Sequence, residues 1–89
     1  MTEKDESLLE FPCDFPIKAV GRACENFDAL VYSLVSPHAP DLGENAITTR
    51  ASSQGNYLSV TITVRATSRE QLDAIYRELT ACEQIMMVF

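Results

Sequence analysis

The segment Tyr57 to Ala66, YLSVTITVRA, alternates between apolar and other side chains for ten positions without interruption. Because successive side chains of a strand point to opposite sides, this period of two predicts a strand with one buried face. The predicted inward residues are Leu58, Val60, Ile62, Val64 and Ala66, and the predicted outward residues are Tyr57, Ser59, Thr61, Thr63 and Arg65. A strand buried on both sides would be apolar throughout, so the sheet is expected to have an open face. We look for function on that face.

Three further strands and two helices are predicted along the chain. The strands cover Ile17 to Arg22, Ile47 to Ser52 and Ile85 to Phe89. The first helix follows Asn26, a candidate N-cap, and ends before Pro37. The second helix begins after Ser68, which has the capping-box spacing with Gln71.

The order of these elements is strand, helix, strand, strand, helix, strand. With right-handed crossovers it predicts an α+β fold, the ferredoxin-like βαββαβ sandwich, with a four-stranded antiparallel sheet in the order 4-1-3-2 and both helices on one face. Ser53 to Asn56 is interpreted as the turn between strands two and three, in preference to an anion-binding nest. A four-residue loop or a two-residue Gly55-Asn56 loop keeps the same strand faces outward. We expect a disordered tail over residues 1–7 and a single domain over 8–89.

Composition argues against several classes of protein. Seven Lys and Arg against thirteen Asp and Glu give a net charge of −6, whereas nucleic-acid binding requires clustered cations. Three cysteines without a Cys-x-x-Cys spacing, and His38 as the only histidine, encode neither a disulfide framework nor a metal site, and no cofactor is implied. No apolar run approaches the ~20 residues of a membrane span. The N-terminal MTEKDES does not resemble a signal peptide, so a cytoplasmic location without membrane contact is expected.

Basic residues fall on outward positions of the predicted strands, and no acidic residue lies inside any of them. These basic residues are Lys18, Arg22, Arg50 and Arg65. Arg50 is expected opposite Ser59 or Thr61, with Arg22 approaching the same spot from the neighbouring strand. Two guanidiniums that frame hydroxyls hold a carboxylate or a phosphate, so Arg22, Arg50, Ser59 and Thr61 are candidate ligand-binding residues. The alternative is that strand cations only keep an exposed sheet soluble and discourage edge pairing.

Other functions hosted by this fold class lack the residues that they need. An RNA-recognition domain displays aromatic side chains on its central strands, where this chain has aliphatic and hydroxyl groups. A copper chaperone needs paired cysteines after the first strand, and only Cys24 lies there. An acylphosphatase-like enzyme needs a phosphate-cradling loop and an Asn on the second strand, and this chain has neither. We interpret His38 as a helix C-terminal residue that contacts free carbonyls, and we predict no catalytic residue.

Several sequence blocks in a fixed order carry a family resemblance. The blocks are LLEFPCDFPIKAVG from Leu8, HAP from His38, SSQGNYLSVTITVRATSREQLDAIYREL from Ser52, and the final MMVF. They closely resemble the YbeD-like family of small bacterial proteins of unknown function. The resemblance implies an ACT-like arrangement of four strands and two helices, similar to regulatory domains of enzymes of amino-acid metabolism. It implies no catalytic residues. Typical ACT domains carry a Gly-containing ligand loop after the first strand, which Gly21 to Glu25 matches in part.

We therefore expect a non-catalytic regulatory or adaptor module that acts through an unidentified protein partner or through self-association. The candidate interaction residues are Lys18, Arg65, Leu8, Leu9 and Phe11. The alternative is an ACT-like sensor of a small anionic metabolite. We expect Leu8, Leu9 and Phe11 to be docked on the domain, because burying each large apolar side chain stabilises by roughly 1.5–3 kcal/mol.

Overall fold

The computed structural model describes residues 10–89, except for the side chain of Glu44. The strands are β1 (Cys13–Arg22), β2 (Ile47–Ala51), β3 (Tyr57–Ala66) and β4 (Ile85–Val88), and the helices are α1 (Phe27–Val35) and α2 (Arg69–Ala81). Two short 3₁₀ turns cover Ser36–His38 and Glu44–Ala46. The antiparallel sheet has the order β2-β3-β1-β4, so the predicted sandwich is confirmed. The predicted tail and the residues Leu8 and Leu9 lie outside the described residues.

The centre of the sheet is the ladder between β1 and β3. It contains ten residue pairs, from Cys13 opposite Ala66 to Arg22 opposite Tyr57. Residues opposite each other share a face of the sheet, so the inward alternation of β3 imposes the same alternation on β1. Every second pair is therefore apolar on the inner side, as in Ile17 opposite Ile62, both fully buried.

The first strand begins four residues earlier than predicted, at Cys13 rather than at Ile17. Cys13 and Phe15 continue the inward pattern and are half-buried. Pro16 is accommodated because β4 pairs with β1 only from Lys18 onward, which leaves the β4 side of Pro16 without a neighbouring strand. A proline with no ladder bond to donate is tolerated at such an edge.

The core lies between the inner face of the sheet and the two helices. The fully or nearly fully buried helix residues are Phe27, Val31 and Val35 on α1 and Leu72, Ile75 and Leu79 on α2. They pack against the inward side chains of the central strands. These residues form one apolar stripe on each helix, and Leu30, Leu34 and Tyr76 beside them are half-buried.

The start of α2 has the predicted cap, with one difference. Ser68 Oγ accepts a hydrogen bond from the Gln71 amide N–H at 3.1 Å. The Gln71 side chain accepts from the Thr67 amide N–H at 2.6 Å, one residue earlier than in a standard capping box. Its amide group also donates to the His38 carbonyl oxygen at 2.8 Å, which joins the start of α2 to the segment after α1.

Two turns complete the framework of the sheet. Ser52 and Tyr57 close a four-residue hairpin loop through a backbone bond of 2.9 Å, and Gly55 takes a φ of 77° within it. This is one of the two loops that keep the predicted faces outward. Asn26 precedes α1 at a φ of 67°, a conformation that Asn tolerates, but its side chain makes no capping bond. Asn26 is therefore the N-cap residue, as predicted, and its carbonyl accepts the first helical bond, from the Leu30 N–H at 2.9 Å, but its side chain does not cap the helix.

Gly21→Ala is expected to destabilise the protein by about 1–3 kcal/mol, because there is no room in the core for a side chain at this position. A Cβ at Gly21 would meet the carbonyl oxygen of Gln84 and two ring carbons of Phe27 at 2.6 and 2.7 Å. Urea denaturation measures the effect. Gly43→Ala is the matched control: a Cβ there meets nothing within 4 Å. The free energy of unfolding should change by no more than about 0.5 kcal/mol in this control. Equal effects of the two substitutions would contradict the packing at Gly21.

Candidate functional site

The strand register assembles the open face of the sheet in rows that run across all four strands. One row consists of Arg50, Ser59, Val20 and Met87. The next row consists of Thr48, Thr61, Lys18 and Phe89, where Phe89 joins through its backbone bonds to Lys18. The β2 side of this face is therefore polar, and its β4 side is largely apolar.

Three of the four predicted ligand-binding residues lie close together on this face. Arg50 is directly opposite Ser59, which selects one of the two predicted registers. Thr61 follows two residues along β3 on the same face, between Thr48 and Lys18. Ser59 and Thr61 are half-buried between their neighbours, whereas the Arg50 side chain is exposed. Two hydroxyls and one guanidinium are thus available to a single small group.

Arg22 lies farther from Arg50 than this cradle requires. It is opposite Tyr57, on the other side of β3 and two residues along from the row of Arg50. With strands ~4.8 Å apart and a rise of ~3.4 Å per residue, the two Cα atoms are separated by about 12 Å. The structure places Lys18 beside Thr61 instead.

The charges inside the four strands are four cations and one carboxylate, all at outward positions. The carboxylate is Asp14, so the expectation that no acidic residue lies inside a strand is wrong, because β1 is longer than predicted. Asp14 Oδ1 lies 3.4 Å from Arg65 Nη1, and both side chains are exposed. Among the described side chains, neither the Asp14–Arg65 ion pair nor the contact between His38 and Glu78 involves Lys18, Arg22 or Arg50. These three cations give the open face a positive charge.

The open face also carries an exposed apolar cluster, which lies on and just after β4. We call Met86, Met87 and Phe89 the β4 cluster, and each is more than half exposed, at 56%, 52% and 56%. The register shifts between Val20 and Gly21, which pair with Met87 and Ile85, so Met86 is an extra residue in a bulge. Sequence reasoning identified this strand but missed its exposed side chains. The sequence signal that could have indicated this exposure is the apolar run of five residues, Ile85 to Phe89. A strand with apolar residues at every position has apolar side chains on both faces of the sheet.

Other predicted residues lie away from this face. The His38 imidazole Nε2 is 3.4 Å from Glu78 Oε2 on α2. His38 therefore contacts a side chain forty residues away instead of the free helix carbonyls that were expected. Phe11 precedes β1 and is 37% exposed. Cys13, Cys24 and Cys82 are free thiols. Within the described part of the chain, no three metal-ligating side chains are grouped together.

Arg22 lines two surface depressions at the end of the sheet. One has a volume of about 330 Å³ and is lined by Arg22, Cys24, Glu83, Gln84 and Met86. The other has a volume of about 410 Å³ and is lined by Arg22, Ala23, Gly55, Asn56 and Tyr57. Among residues 10–89, no helix has the length and apolar character needed to cross a lipid bilayer.

The fold and the open face define a small ACT-like α+β domain, and sequence comparison gives its family. Residues 6–89 match the family model described as "Protein of unknown function (DUF493)", and the chain belongs to this family. It is 50% identical to a UPF0250 protein of Janthinobacterium sp. (strain Marseille) over 90 residues, which is 99% of each chain. The resemblance to the YbeD-like family is confirmed.

Two solved structures share this fold at low sequence identity. Protein HP0495 from H. pylori superposes with a TM-score of 0.70 at 7% identity, covering 91% of this chain and 85% of that one. The ACT domain of GTP pyrophosphokinase from Chlorobium tepidum superposes with a TM-score of 0.64 at 15% identity, covering 85% and 84%. At these identities the similarity shows the fold alone, and the fold is ACT-like.

Proposed function

We propose that this protein is a non-catalytic regulatory or adaptor module whose open sheet face binds an acidic segment of a protein partner. The observation that carries the proposal is the charge of that face. Lys18, Arg22 and Arg50 project from it outside any ion pair of the described side chains, in a chain whose net charge is −6. A face of opposite sign to the rest of the molecule steers an acidic partner to one side.

The apolar part of the same face adds area to this electrostatic contact. Phe89 lies next to Lys18, and Met87 lies in the row of Arg50. Exposed aromatic and Met side chains are enriched in the centre of protein interfaces, and a flexible thioether adapts to different partners. A segment that carries both carboxylates and apolar side chains fits this combination better than a purely acidic one.

The fold supports a role without catalysis. ACT-like domains resemble regulatory domains of metabolic enzymes, and the structural neighbour from Chlorobium tepidum is a domain of a larger enzyme. A regulatory or adaptor module transmits its effect by contact, which needs an accessible surface rather than a reactive group. The half-covered sheet of this protein is such a surface.

Charge reversal on the open face should abolish partner binding. The variant combines Lys18→Glu and Arg50→Glu, and the control combines Arg69→Glu and Arg77→Glu on the exposed side of α2, with the same change in net charge. Affinity capture from a bacterial lysate, followed by mass spectrometry, should recover one protein with the native chain and with the α2 control but not with the face variant. Added salt should release it, because opposite charges are screened.

Equal recovery with the face variant would contradict the proposal, and so would equal loss with the α2 control. Recovery of no protein by the native chain would also overturn it. Asp14→Asn frees Arg65 from its ion pair and should therefore strengthen the binding.

A second candidate function, sensing of a small anion, is favoured by the direct pairing of Arg50 with Ser59. The guanidinium of Arg50 and the hydroxyls of Ser59 and Thr61 are suited to a carboxylate or a phosphate. The Lys18 side chain is near enough in the register to add a second positive charge.

Thermal unfolding with a panel of amino acids, carboxylates and nucleotides tests this candidate. A ligand at 100 times its Kd should stabilise the native state by about 2.7 kcal/mol. Arg50→Ala should abolish the stabilisation, whereas Arg77→Ala on α2 should retain it. A panel without any stabilising compound, or a shift that persists in Arg50→Ala, would reject this cradle.

A further inference from the structure

The outer edge of β4 has backbone groups that no other strand within residues 10–89 satisfies. The Phe89 N–H donates to the Lys18 carbonyl at 2.8 Å, and the Lys18 N–H donates to the Phe89 carbonyl at 2.9 Å. In an antiparallel ladder neighbouring residues direct their backbone groups to opposite sides, so Val88 directs its N–H and C=O away from β1. A free edge of this kind is a template for another strand.

The other free edges of the sheet carry features that discourage pairing, and β4 does not. The edge strand β2 has Arg50 in its five residues, and the free part of β1 has Pro16. A charge or a proline at an edge protects it. Residues 85–89, in contrast, contain neither a charged residue nor a proline.

We propose that a second copy of this chain pairs antiparallel with β4 across a two-fold axis at Val88. In this register Val88 exchanges both of its free backbone bonds with Val88 of the second copy. Met87 of each copy then lies opposite Phe89 of the other on the open face, in a non-hydrogen-bonded pair whose Cα atoms are only ~4.5 Å apart. Contact between a thioether and an aromatic ring is favourable, so the sequence of β4 is complementary to itself.

The exposure of these side chains fits this arrangement. Met87 and Phe89 are each more than half exposed in the single chain, and the two copies bring four such side chains together. The bulge at Met86 lies outside the three residues that pair, so it does not interrupt them. Pairing joins two four-stranded sheets into one continuous sheet.

The charge of the chain makes the pairing sensitive to salt in a defined direction. Each copy has a net charge of −6, so the copies repel each other, while β4 contributes no charge of its own. Added salt screens the repulsion and tightens the pair. Binding of an acidic partner to the cationic face has the opposite salt response, so the two proposals succeed or fail separately.

Sedimentation velocity of the full chain over a concentration series, at low and high salt, tests the pairing. The native chain should dimerise at high concentration, with a dissociation constant that falls as salt is added. Met87→Lys should raise that constant at least tenfold. The control Thr48→Lys adds the same charge to the open face at the opposite edge and should leave the constant unchanged. Circular dichroism should show that both variants keep the native fold. A monomer under all conditions, or equal effects of the two variants, would overturn the proposal.

Disulfide trapping tests the register. Chains with Met87→Cys are mixed with chains that carry Phe89→Cys, the mixture is oxidised, and bridged peptides are identified by mass spectrometry. The proposed axis predicts bridges between the two kinds of chain. It excludes a bridge from position 87 to itself, because those Cα atoms are about 8 Å apart, beyond the reach of a disulfide. A self-bridge at position 87, or no bridge at either position, would refute the axis at Val88.

Discussion

The ten-residue ladder between β1 and β3 is the constraint on which the other parts of this structure depend. It aligns two alternating sequences so that one side of the sheet is apolar and the other is not. The helices must then cover that one side, because both present an apolar stripe and have no other surface to bury it against. A shift of one residue in this ladder would turn Ile17 toward solvent and Lys18 toward the core. The same pairing therefore specifies the core and the open face.

Most of the fold could be predicted from the sequence because its signals are local. The alternation of β3 and the serine cap of α2 each lie within a few residues, and the structure reproduces both. The start of β1 was mispredicted because a proline usually ends a strand. Pro16 is tolerated within β1 only because β4 does not extend far enough to pair with it. The partner of His38 was unpredictable for the same reason, since Glu78 is brought near only by the packing of α2.

The candidate site was predictable in its composition and less so in its geometry. Outward strand positions identified the cations correctly, and either register placed Arg50 beside a hydroxyl. The distance between Arg22 and Arg50 depends on the order of the strands and on the register of two ladders at once. The exposure of Met87 follows from its pairing with Val20, and the apolar run of β4, which does not alternate, could not show which of its residues face outward. The face was therefore foreseen as basic, while its apolar side was not.

The Gln71 side chain has a consequence for the cooperativity of the helical layer. Its carboxamide bonds to the Thr67 amide N–H at the start of α2 and to the His38 carbonyl after α1. Fraying of either segment breaks the Gln71–His38 bond that the two share, so their backbone amides should exchange with deuterium in the same opening event. A region with shared bonds of this kind behaves as one cooperative unit. The start of α2 and the segment after α1, far apart along the chain, are thus coupled through a single side chain.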